Sequence, residues 1–103
     1  MKILTIETIP NRNYEALDIV KGTVVYSKNF GRDFMASMKT LVGGEIVGYT
    51  EMLNEARQIA TKRMVDAAEA LGADAIVGAR YASCSVMQGA AEVVAYGTAV
   101  KFL

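Results

Sequence analysis

Residues 43–78 read GGEIVGYTEMLNEARQIATKRMVDAAEALGADAIVG, and this stretch decides the fold. Tyr49, Met52, Leu53, Ala56, Ile59, Ala60, Met64, Ala67, Ala68 and Leu71 recur at helical spacing and trace one apolar stripe. Glu51, Glu55, Lys62, Asp66 and Glu69 lie largely off it, with Lys62 and Asp66 placed as an i,i+4 pair. The spacing predicts a long helix from about Ile46 or Tyr49 to Leu71. Gly72 follows as its left-handed C-terminal cap, and Ala75-Ile76-Val77-Gly78 opens an apolar strand. Alanines between residues 60 and 70 let such a helix lie close to a sheet.

Upstream of this stretch the chain reads as extended segments. Ile3 to Thr8 is a short β-branched run, ended by Pro10 and the turn residues Asn11-Arg12-Asn13. Tyr14 to Ser27 is a longer strand. Gly22 inside it marks a bulge or a close backbone approach. Phe34, Met38 and Leu41 fall at helical spacing and predict a short helix from about Arg32 to Val42, stopped by Gly43-Gly44. Downstream, Ala75 to about Val86 is a strand, Gln88-Gly89 a turn, and Glu92 to Leu103 the last strand. Val94, Tyr96, Thr98, Val100 and Phe102 share one face of it, Val93, Ala95, Gly97, Ala99, Lys101 and Leu103 the other. Both faces are mostly apolar, so both are expected to be covered, by this chain or by a neighbour.

Composition narrows the function classes. The chain has 103 residues, one domain's length, and 52% of them are hydrophobic, an excess that favours meeting another chain. Eleven basic and eleven acidic residues cancel without forming runs, which argues against nucleic-acid binding. One cysteine excludes an intramolecular disulfide and gives no reason to expect secretion. The opening segment is too short in apolar residues for a signal peptide or a membrane span. A soluble cytoplasmic protein is the expectation.

Arg32-Asp33, Gly43-Gly44, Tyr49, Ala56-Arg57, Ala60, the run Gly72-Ala73-Asp74-Ala75-Ile76-Val77-Gly78 and the closing Gly97-Thr98-Ala99-Val100-Lys101 together resemble the YbjQ-like family. These small bacterial and archaeal proteins are catalogued as uncharacterised and labelled for heavy-metal binding. The resemblance spans nearly the whole chain. It implies an α+β subunit of the dodecin-like kind: a mainly antiparallel sheet of about four strands, packed by one long and one short helix. It further implies self-assembly into a ring, a pentamer, and it implies no established reaction, cofactor or ligand set.

Candidate sites are few. Soft metals want thiolates and imidazoles, and the chain offers Cys84 and no histidine. Cys84 therefore chelates only if a symmetry axis gathers several copies, as it could also gather carboxylates, and a small buried strand residue is the commoner fate of a lone cysteine. Met35, Met38, Met52 and Met64 sit at core spacing. Arg32-Asp33 follows the second strand, where Arg32 can hold an anion that Asp33 orients; capping by Asp33, with Arg32 paired across an interface, is the more ordinary use. Tyr49 and Arg57 reach toward the same corner from the long helix. The glycines at 43, 44 and 48 end in Gly48-Tyr49-Thr50, without the Gly-Lys-Ser/Thr ending of a phosphate loop, and read better as a corner between helices. Without histidine, no catalytic residue is assigned, and an enzyme built on Arg32, Asp33 and Tyr49 in a cleft between subunits is the least supported reading.

Overall fold

A computed structural model describes residues 1–27, 41–42, 45–87 and 90–103. In chain order these form β1 (Lys2–Ile3), β2 (Tyr14–Ser27), β3 (Leu41–Val42), β4 (Glu45–Ile46), α1 (Val47–Ala70), β5 (Ala75–Met87) and β6 (Ala90–Phe102). Strands β1, β5, β6 and β2 line up in that order as one sheet, and β3 pairs with β4 as a separate ribbon. Two of the three pairings in the large sheet are antiparallel, but β1 runs parallel to β5. The sheet is mixed, so the expectation of a mainly antiparallel sheet holds only in part.

The β2 boundaries match the sequence reading, and β5 and β6 agree within about two residues. The short helix over 32–42 lies outside the described residues for most of its length, and its last two residues, Leu41–Val42, are strand instead. The first strand is two residues long, shorter than the expected Ile3 to Thr8, yet the pairing runs on. Leu4 donates to the Ile76 carbonyl, Ala79 donates back to Leu4, and Gly78 donates to Ile6. Beyond Gly78 the register against β6 shifts between Val77 and Arg80, so the second half of β5 is re-aimed relative to the first.

Helix α1 lies across one face of the sheet. Met52, Ala56, Ala60, Met64 and Ala68, spaced by four, are all 5% exposed or less. Ala56, Ala60, Met64 and Ala68 pack on Val20, Ile76, Ala79, Val93, Ala95 and Ala99. Burying Met64 and Ile76 contributes about 1.5–3 kcal/mol each. Leu71, placed at the end of the stripe by periodicity, is instead exposed. The helix has already ended there. Gly72 takes φ 77°, its N–H bonds the Glu69 carbonyl and that of Ala73 bonds Ala68. This is a Schellman cap, which satisfies two helix-end carbonyls and turns the chain into β5.

Gly22 settles as a close approach rather than a bulge. A Cβ there would overlap the Ala60 carbonyl oxygen and the Met64 amide nitrogen. The bulge of β2 sits earlier, between Ala16 and Asp18. On the opposite sheet face, Ala75, Val77 and Val100 form a smaller cluster covered by Ile9, Tyr14 and Phe102, and the Arg12 guanidinium lies 3.8 Å from the Phe102 ring centre. One end of the last strand's second face is thus covered by its own chain. The rest of that face is not: Tyr96 is 37% exposed, and on β2 Ile19 is 71% and Val25 56% exposed. No helix among the described residues is long and apolar enough to cross a membrane.

A candidate cleft around Tyr81

The re-aimed segment of β5 builds the most developed site among the described residues. Register against β6 puts Tyr81 opposite Ala95, on the helix side, and Arg80 opposite Tyr96, on the outer side. Tyr81 reaches α1, where its hydroxyl lies 2.7 Å from Thr61 Oγ1. Thr61 has one hydroxyl proton and a 2.7 Å bond to the Arg57 carbonyl that uses it. Tyr81 is therefore the donor of the pair, and its oxygen keeps lone pairs for a further donor. Arg57 itself is tied to Asn54 Oδ1 at 3.0 Å, and Lys62 to Asp66 at 3.0 Å.

Tyr81 walls two concavities. On one side a polar groove is bounded by Asn54, Arg57, Gln58, Thr61 and Lys62. On the other a cavity of ≈ 410 Å³ is bounded by Ile3, Leu4, Thr5, Met64, Ala79, Arg80 and Ala95. Although its register position is on the outer side, Arg80 also lines this cavity, and its Nη1 donates to the carbonyls of two other lining residues, Thr5 at 2.7 Å and Ala79 at 3.0 Å. Among the described residues neither concavity has a carboxylate in its lining, and between them they have three cations. In a chain with equal numbers of acids and bases, that is a local segregation of charge.

The residues singled out in the sequence fare unequally. Arg57 lines the polar groove as an exposed side chain. Arg32 and Asp33 lie outside the described residues, as do Gly43 and Gly44; Tyr49 is in the first turn of α1. Cys84 is an exposed free thiol opposite Glu92 on β6. Among the described residues no group of three or more His, Cys, Asp or Glu is placed to hold a metal ion. Sequence reasoning missed Thr5, Thr61, Arg80 and Tyr81. The available signal was an arginine and a tyrosine closing an otherwise apolar run after Gly78.

Comparison with known proteins decides the family. The YbjQ family model, whose description reads "Putative heavy-metal-binding", matches residues 1–103. The chain belongs to the YbjQ family. It is similar to the UPF0145 protein of Thermotoga maritima, 60% identical over 98% of this chain and 96% of that one. It is also similar to the UPF0145 proteins of Clostridium novyi, 53% identical over the full length of both, and Helicobacter hepaticus, 55% identical over 100% of this chain and 99% of that one. A crystal structure from Pediococcus pentosaceus, of a protein with unknown function in the DUF74 family, superposes with a TM-score of 0.68 at 22% identity, covering 100% of this chain and 98% of that one. That likeness shows that this YbjQ-family chain shares its fold.

Proposed function

We propose that this YbjQ-family chain is a non-enzymatic, ring-forming homo-oligomer, a pentamer, that binds a small ligand or ion. The observation that carries the assembly is the uncovered apolar part of the sheet. Ile19, Val25, Tyr96, Val86 and Met87 are between 37% and 71% exposed, the first three on strands whose other face is packed. Exposed apolar side chains gathered on one sheet mark an interaction site more often than idle surface, and a second copy is the partner that every molecule has at hand. The Tyr81 cleft supports the ligand-binding part. Light scattering at micromolar concentration tests the assembly: a multiple of the 11.1 kDa chain mass supports it, and a monomer overturns it.

A second reading follows the family description. Heavy-metal binding here rests on Cys84, exposed and opposite Glu92, or on carboxylates, with copies brought together at a symmetry axis. One thiolate and one carboxylate per chain are too few for a closed soft-metal site within a subunit. Elemental analysis of purified protein and of a Cys84→Ser variant tests it. Metal in the first and none in the second supports the reading; none in either removes it.

A further inference from the structure

We infer that the cavity bounded by Leu4, Met64, Ala95 and Arg80 is a binding site for a small organic anion with an apolar body, such as a medium-chain carboxylate. The inference deepens the ligand-binding part of the reading above and is independent of the ring. Four observations meet here. The cavity is large enough, at ≈ 410 Å³, for a short aliphatic chain. Its floor is apolar, with Met64 and Ala95 at 2% and 1% exposure. Among the described residues a single cation stands in its lining, and no carboxylate does. That cation is also pre-positioned, because both bonds from Arg80 Nη1 go to backbone carbonyls, Thr5 and Ala79.

The last point selects the ligand's charge. A guanidinium has five N–H donors in a fixed fork. Anchoring through Nη1 fixes the plane and leaves Nη2 and Nε, which are bonded to nothing among the described residues, able to meet two oxygens of a carboxylate. A neutral ligand would forgo those bonds, and a cation would meet Arg80 head on. Arg57 and Lys62 lie on the far side of Tyr81. They add attraction at longer range, which salt screens within about 10 Å at 0.1 M. The apolar body is selected by the floor: a free inorganic anion would leave Leu4 and Met64 unused. Pockets of this composition, apolar with few convergent polar groups, are the ordinary form of a small-molecule site. A second cavity, ≈ 260 Å³ between Val24, Tyr26, Met52, Ala56 and Ile59, has only Glu55 as a charged lining residue among the described residues, and Glu55 offers an anion nothing.

The test titrates octanoate and octanol into the intact protein and follows the amide resonances by NMR, with light scattering on the same samples. Octanoate is expected to bind about tenfold more tightly than octanol at low salt, the size of one charge-assisted hydrogen-bonded contact, with shifts at Leu4, Met64, Tyr81 and Ala95. Arg80→Gln is expected to reduce octanoate to the affinity of octanol while leaving octanol binding unchanged, which shows the cavity intact. Arg57→Gln is expected to cost about twofold or less, as a screened surface charge would. Equal affinities for the two probes, or shifts confined to the outer sheet face or to the Val24–Ile59 cavity, overturn the inference. A monomer that binds octanoate keeps the site and removes the ring; an assembly that binds neither probe does the reverse.

Discussion

The two halves of β5 share one strand and one antiparallel partner, yet they live in different surroundings. Ala75, Ile76, Val77 and Ala79 are at most 8% exposed, with β1 on one edge, β6 on the other and packed side chains on both faces. Past Gly78, every residue from Arg80 to Met87 is exposed, and Val86 and Met87 reach 50% and 66%. Composition hardly changes to match, since Arg80 is the only charged residue among Arg80–Met87. The first half is apolar because this chain buries it. The second half carries that single charge and stays exposed, its side chains tied to the rest of the described residues only at Tyr81–Thr61 and Arg80–Thr5. Exposed strand with so little charge is what a protein otherwise avoids. Our reading is that the first half makes the subunit, and the second half serves partners: another copy and a ligand.

That contrast can be broken at several points. The largest effect belongs to Ile76→Ala, which empties a fully buried site and is expected to cost about 3–4 kcal/mol in chemical denaturation. Val86→Ala, the matching truncation in the second half, is expected to cost less than about 0.5 kcal/mol in the dissociated chain. It should instead lower the assembled fraction in light scattering. Equal losses in folding stability would erase the distinction between the halves.

Gly22→Ala comes next, at about 2–3 kcal/mol, because the new methyl meets helix backbone that cannot swing aside. By lifting α1 it should also raise amide exchange at Ile76 and Ala79, making the first half behave like the second. Tyr81→Phe removes one hydroxyl bond to Thr61 at a solvent-exposed position and is expected to cost about 0.5–1 kcal/mol. The smallest effect is Lys62→Met, below about 0.5 kcal/mol and vanishing at 1 M salt, since the pair with Asp66 is an exposed i,i+4 contact.

Most of the scaffold was legible in the residues. Period-four spacing from Met52 to Ala68 located the buried stripe of the helix, and Gly72 located its end, because both are local consequences of sequence. The parallel β1–β5 pairing was not legible. It joins residues more than seventy positions apart through backbone bonds such as Leu4 to Ile76, which leave no mark on side-chain pattern. The Tyr81 cleft was hidden for the same reason. Arg80 meets Thr5, and Tyr81 meets Thr61, only because the register shift after Val77 turns the strand toward the helix. Arg57 was found because its helix was, while its neighbours in the cleft come from other elements. The family itself was legible, since its glycines and small residues sit at fixed spacing along the chain.

Amide hydrogen exchange along β5, read beside the solution mass, tests the central claim most directly. The account predicts a mass about five times 11.1 kDa, with Ala82–Met87 protected in the assembly and exchanging freely on dilution to monomer, while Ile76 and Val77 stay protected in both. A monomer at micromolar concentration with Ala82–Met87 exchanging freely throughout would contradict it.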